Sequence, residues 1–210
     1  MKKLLLYTML FALSFANAQE KEDNEKLTIE KGTWYISGNL SINQNNYEAE
    51  DSNNDSESFG FNFSPKIGYT INDNLIIGLG VGYGYSKNKS TIMTGKGNSY
   101  QVFPYIKKHF PLGKKLTISL QGEFRYSYSD FSNNDTPTPY KRESNEYFIG
   151  IRPGITYFLN KNIALEANIG GLGYSKTNHE DNINLSNRDT SSFNFNINST
   201  DLMFGLSYYW

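Results

Sequence analysis

The sequence predicts an all-β fold, an eight-stranded up-and-down antiparallel barrel, and three observations predict it. Apolar and polar residues alternate over eight segments, the mark of strands with unlike faces. The connections between them are short and long in turn, as in a meander. A mean hydropathy of -0.57 leaves too little apolar sequence for a helical membrane bundle, but it suits strands that are half apolar.

Ahead of the strands, Lys2 and Lys3 precede an apolar run from Leu4 to Phe15 and the small-residue pattern Ala16-Asn17-Ala18. This reads as a secretory signal peptide over residues 1–18, since the run is shorter than the ~20 residues of a membrane-spanning helix. Residues 19–32 are then a short N-terminal segment, and residues 33–210 one domain. Without the signal, 18 Lys and Arg face 21 Asp and Glu, a net charge of about −3 that implies no nucleic-acid partner. The exported chain has no cysteine, so packing and backbone pairing must hold it together.

In the first segment, Trp34, Ile36, Gly38, Leu40 and Ile42 share one face, and Thr33, Tyr35, Ser37, Asn39 and Ser41 the other. The second sets Phe59, Phe61, Phe63, Pro65, Ile67, Tyr69 and Ile71 against Gly60, Asn62, Ser64, Lys66, Gly68 and Thr70. The third sets Leu75, Ile77, Leu79, Val81, Tyr83 and Tyr85 against Gly78, Gly80, Gly82 and Gly84. The fourth, around Tyr100 to Phe110, leaves its register open, because Phe103 and Tyr105 oppose Val102, Pro104 and Ile106.

The fifth opposes Leu116, Ile118, Leu120, Phe124, Tyr126 and Tyr128 to Thr117, Ser119, Gln121, Glu123, Arg125 and Ser127. The sixth opposes Tyr147, Ile149, Ile151, Pro153, Ile155 and Tyr157 to Glu146, Gly150, Arg152, Gly154 and Thr156. In the seventh, Ile163, Leu165, Ala167 and Ile169 oppose Glu166, Asn168 and Gly170, and the pattern slips near Gly171. The eighth changes parity between Ile197 and Leu202, which predicts an irregular stretch near Asn198 to Asp201. Short turns are expected at Asn72 to Asn74, Pro111 to Lys115 and Asn160 to Asn162; long loops at Asn43 to Ser58, Lys87 to Asn98, Asp130 to Ser144 and Ser175 to Ser191.

Alternation fits two closed barrels: a soluble one with its aromatics inside, and a membrane one with its aromatics against lipid. Three features favour the second. Glycines crowd the polar face, which suits the narrow bore of eight strands and would only weaken a solvated exterior. Aromatics on the apolar face gather at both ends, with Ile, Leu and Val between, matching the two interfaces of a bilayer. Lys66, Glu123, Arg125, Arg152 and Glu166 lie on the polar face well inside their strands, which predicts an ion-pair network filling the lumen. Ignoring shear, Glu123 and Arg152 would meet across the ladder. Pro65, Pro104 and Pro153 run against the fold, since a closed barrel has no edge for a missing N–H.

These patterns, with the closing alternation Phe204, Leu206, Tyr208 and Trp210, resemble the eight-stranded outer-membrane β-barrels of the OmpA/OmpX type. The resemblance covers nearly the whole mature chain. It implies a transmembrane barrel in the cell outer membrane, with residues 19–32 periplasmic and four loops outside. It also implies that the last four alternate residues are a signal read by the outer-membrane assembly machinery. The other partners expected are outer-membrane lipids and an extracellular ligand for the loops, with the barrel a monomer.

No motif carries chemistry. His109 and His179 lie too far apart in the predicted fold to cooperate, and no Ser–His pair of suitable spacing is expected at the outer rim. Asp51, Asn53, Asp55 and Glu57 start like a calcium loop, but Ser56 and Asn62 stand where Gly and Glu are required. No metal, no cofactor and no enzymatic activity are expected. The reading is a structural or surface-interaction protein with a filled lumen, serving adhesion or membrane integrity; a narrow channel is the alternative.

Overall fold

The computed structural model describes residues 26–47, 55–90, 93–133, 139–181, 188–196 and 202–210. The strands are β1 (Trp34–Tyr47), β2 (Ser56–Asn72), β3 (Leu75–Ser90), β4 (Thr94–Pro111), β5 (Leu116–Asn133), β6 (Tyr140–Phe158), β7 (Ile163–Ile169), β8 (Gly171–Asp181), β9 (Arg188–Asn196) and β10 (Leu202–Tyr209). Together they make one closed antiparallel wall of eight strands, without helix among the described residues. β7 and β8 are the two halves of the seventh strand, since both pair with β6. β9 and β10 are the halves of the eighth, pairing with β8 and β7 respectively. β10 closes the barrel on β1, from Tyr35↔Tyr209 to Leu40↔Phe204.

Both broken strands follow the parity of the sequence. At Gly170 the backbone turns to φ 56, a left-handed conformation suited to glycine, and the outward series shifts from Leu165 to Leu172 and Tyr174. In the eighth, Phe193 and Phe195 face out before the break, and Phe204, Leu206 and Tyr208 after it. The irregular stretch itself lies outside the described residues, as do the signal peptide, Asp51 and Asn53 of the calcium-like loop start, and residues 134–138.

Outward side chains are apolar and exposed, Leu79 at 48% and Ile149 at 60% among them, while their neighbours in sequence are buried in the bore. The fourth strand, left open by sequence, is decided: Phe103, Tyr105, Lys107 and His109 are buried inside, and Val102, Pro104 and Ile106 face out. Aromatic girdles close the outer band. Trp34 lies 5.1 Å from Tyr69 and stacks on Trp210 at the short-turn end. Tyr83 meets Tyr100, and Tyr126 meets Tyr147, at the other end.

The short turns fall where expected; between Asn72 and Leu75, Asn74 adopts φ 62, which asparagine tolerates. The long loops need correction. β3 runs to Ser90 and β4 begins at Thr94, so most of the segment expected as a loop is strand, and the other three connections shrink likewise. A bilayer is crossed by ~9–11 residues of tilted strand, whereas β4, β5 and β6 have 18, 18 and 19. The surplus stands in water, where polar residues on both faces hide the alternation although the ladder continues.

The prolines share a structural role. Pairing of β2 with β3 stops at Phe63↔Tyr83 and resumes at Lys66↔Gly80. Between β4 and β5 it stops at Val102↔Tyr126 and resumes at Tyr105↔Glu123. β6 pairs with β8 up to Ile151↔Leu172 and with β7 from Gly154↔Asn168. Pro65, Pro104 and Pro153 fill these three gaps, while each remains registered with the preceding strand, opposite Gly38, Leu79 and Leu120. Each missing N–H therefore faces the next strand, at a local opening of the ladder. At the first opening the Ser64 hydroxyl donates to the carbonyl of Val81 at 3.2 Å. At the third, the gap coincides with the kink at Gly170.

Residues 26–32, within the segment expected as a short periplasmic N-terminal segment, cross the base of the barrel. Leu27 N–H donates to Gly113, Ile29 exchanges bonds with Asn74, and Gly32 N–H donates to Thr70. Ile29 is thereby buried in a cluster with Tyr35, Ile76, Phe158, Ala164 and Tyr209. An apolar stopper of this kind is stabilised by the surface it removes from water.

Candidate functional site

The candidate site is the bore, built from the inward parity of every strand. Its bulk comes from aromatics lying over glycines, most of them on the neighbouring strand. Phe103 covers Gly80, where a Cβ would overlap the ring. The Tyr105 hydroxyl sits over Gly78 and donates to the Ile67 carbonyl at 3.1 Å. Phe148 covers Gly150 and Gly173, and Phe131 covers Gly95. Glycine on the inner face is therefore the recess that admits a ring from the next strand.

The five charged residues singled out by sequence divide into two clusters. In the lower one, Glu166 is the hub: Lys107 donates to it at 2.8 Å, the Tyr35 hydroxyl at 2.8 Å and the Tyr209 hydroxyl at 3.4 Å. Lys66 approaches the same carboxylate at 3.8 Å. All five side chains are buried, Lys107 to 1% exposure. Lys107 also stands over the Tyr35 ring, 5.2 Å from its centroid.

In the upper cluster, Glu123 accepts from Arg125, from Arg152 Nε at 2.9 Å and from the Gln121 amide at 2.7 Å. Arg125 lies over Phe103 and Arg152 over Phe148. Glu123 and Arg152 do not sit opposite each other, as a barrel without shear would have them. Glu123 pairs with Gly150 and Arg152 with Gln121, so the ion pair is diagonal, bridged by the length of the arginine.

Sequence reasoning missed Lys107, Tyr35, Tyr209 and Gln121 as members of these clusters. Lys107 was hidden by the open register of the fourth strand, although a lysine sharing parity with Phe103 and Tyr105 was a usable signal: two residues inward of His109, it could not face lipid cheaply. Tyr35 stands on the polar face of the sequence pattern, but nothing in that pattern gives it a partner.

Above the arginines the bore widens to an outer cup of about 530 Å³ with inward Asn43, Asn62, Ser86, Asn88 and Ser99 on its wall. Higher still, Asp181 Oδ1 accepts from Arg142 Nε at 3.0 Å and from the Tyr140 hydroxyl at 2.7 Å. These two donors, Tyr140 first, hold the Asp181 carboxyl below its usual range.

His109 is buried low in the barrel against Thr117 Oγ1 at 2.9 Å, and its Nε2 has no hydrogen-bond partner among the described residues. His179 departs from expectation, for its Nδ1 lies 2.7 Å from Ser144 Oγ at the outer rim. The two are directly opposed across the ladder, Ser144↔His179, with Glu143↔Glu180 and Asn145↔Asn178 on either side. Among the described residues no group of His, Cys, Asp and Glu could hold a metal ion. Phe204, Leu206, Tyr208 and Trp210 all point outward, the last two stacked at 5.6 Å.

Comparison with known proteins gives three findings. Residues 6–208 match the family model described as outer membrane protein beta-barrel domain. No curated protein matches the chain. Among solved structures, a major outer membrane protein from Thermus thermophilus is similar with a TM-score of 0.51 at 13% identity, over 85% of this chain and 99% of that one. Neisserial surface protein A gives 0.46 at 16% identity over 85% and 99%, and OprG from Pseudomonas aeruginosa 0.47 at 11% over 86% and 97%.

Proposed function

The chain belongs to the outer membrane protein beta-barrel family and resides in the cell outer membrane, and from that membership we propose that it is a structural and surface-interaction protein with a closed lumen. The observation that carries the reading is the stacking of three obstructions along the bore: the Ile29 stopper, the Glu166 cluster and the Glu123 cluster. Opening a path would require separating buried ion pairs, each stranding a charge at a cost of several kcal/mol. Such a barrel is a rigid frame for what it presents outside, namely the polar extensions of β3 to β6 and the connections between them. On the same reading the outward Phe204, Leu206, Tyr208 and Trp210 serve as the signal for the outer-membrane assembly machinery. Among the described residues nothing argues for catalysis: the Ser144–His179 contact at the outer rim is a single hydrogen bond between neighbouring strands.

A second reading, a narrow channel for small solutes, is favoured by the outer cup, which shares Asn62 with the space below it that Arg125 and Arg152 wall. Planar-bilayer recording of the refolded full-length barrel separates the two. The closed-lumen reading expects no stable unitary conductance. A steady conductance abolished by Arg152→Ala would overturn it in favour of the channel.

A further inference from the structure

Between the two ion clusters lies a chamber of about 100 Å³, walled by Lys66, Arg125, Arg152, Glu123, Gln121 and Asn39 among others. The charges around it do not balance. Lys66, Lys107, Arg125 and Arg152 face only Glu123 and Glu166; the next inward carboxylate, Glu146, stands above Phe148 toward the outer mouth and is half-buried. Surplus charge inside a wall of low dielectric is costly unless something of opposite sign is close.

The unsatisfied groups converge on this chamber. Lys107 holds Glu166 at 2.8 Å, whereas Lys66, just as deeply buried, reaches the same carboxylate only at 3.8 Å. Arg125 Nε is buried without a hydrogen-bond partner. Gln121 gives its amide N–H to Glu123, which fixes its orientation and leaves its buried Oε1 without a donor, as is the Asn39 Oδ1 on the same wall, two acceptors for the waters that accompany the anion. The volume suits one small anion with one or two waters, each taking about 30 Å³.

We propose that the chamber binds a small monovalent anion of the halide class, held by the Lys66 ammonium and the Arg125 Nε–H, with a water joining it to Gln121 Oε1. The anion arrives from outside. Asn62 lines both the outer cup and the chamber, and the arginine side chains between them are 15% and 18% exposed, while the Glu166 cluster and the Ile29 stopper close the way from below. The site stands whether or not the barrel conducts.

The test uses bromide as the probe. Crystals of the full-length refolded barrel grown in sodium bromide should give an anomalous peak in the chamber, touching Lys66 and Arg125, and Lys66→Met should abolish it. In detergent, the midpoint of heat-modified migration should be ~2–4 °C higher in chloride than in gluconate of equal ionic strength, because gluconate exceeds the chamber. Water alone in the chamber, or equal midpoints in the two salts, would overturn the proposal. So would a peak that persists unchanged in the variant, which would mean an adventitious ion only. If Lys66→Met does not refold, the two wild-type measurements still decide.

Discussion

Replacing Glu166 by Gln tests the energetics of the bore most sharply, because that residue is the hub of the lower cluster. The substitution keeps the volume and one acceptor oxygen, and it removes the charge that Lys107 meets at 2.8 Å and Lys66 at 3.8 Å. Both ammonium groups then remain in a buried wall with no carboxylate beside them, and the tyrosine hydroxyls of Tyr35 and Tyr209 lose a charged acceptor. Removing one member of a buried pair costs ~3–5 kcal/mol, most of it the stranded partner's desolvation and not the lost attraction. A loss of that size is therefore expected in urea unfolding of the barrel from lipid vesicles, followed by the fluorescence of Trp34 and Trp210. If the stranded charge is the cause, adding Lys107→Met should recover more than half of the loss, a coupling that a double-mutant cycle reads directly. A loss below ~1 kcal/mol for Glu166→Gln, or a double variant no better than the single one, would refute the reasoning.

Gly80→Val should cost ~1–3 kcal/mol in the same titration, since its Cβ would overlap the Phe103 ring; an unchanged midpoint would mean the ring does not lie there. Ser64→Ala should cost ~1 kcal/mol by leaving the Val81 carbonyl unpaired beside Pro65, whereas Ser99→Ala in the outer cup should cost nothing measurable. The Asp181 carboxyl, held below its usual value by Tyr140 and Arg142, contributes stability that is present above the unfolded value of about 3.9 and is lost as pH falls through the lower folded one. Protease nicking of the outer rim should accordingly rise only below about pH 4 and sooner at high salt; constant nicking down to about pH 2 would contradict the pairing.

Much of this architecture was legible because lipid on one side and a packed bore on the other impose a period of two. β2, β3 and β5 show it without interruption, and the slip at Gly170 was visible as a change of parity. The fourth strand was not, because an eight-stranded bore is filled partly by apolar rings. Phe103 and Tyr105 inside and Val102 and Ile106 outside erase the contrast that alternation depends on. Of the ion pairs, sequence identified most members but not their grouping. Shear displaces Arg152 to Gln121, and a stagger between strands leaves no trace in a single strand's pattern. The base stopper escaped for a related reason: Leu27 and Ile29 alternate over too few residues to stand out. The outer extensions were mistaken for loops because, beyond the bilayer, neither face of a strand needs to be apolar.

The most direct measurement of the central claim, apolar side chains toward lipid and charges in the bore, is a single-cysteine scan of β5 with a nitroxide label on each position from Thr117 to Ser127. The chain has no cysteine of its own, so each label reports one site. In lipid vesicles, labels at Ile118, Leu120 and Phe124 should collide strongly with oxygen dissolved in the bilayer, and labels at Ser119, Gln121 and Ser127 should be shielded from it. Strong collision at Ser119 and Gln121 with shielding at Ile118 and Leu120 would turn the barrel inside out and contradict the account.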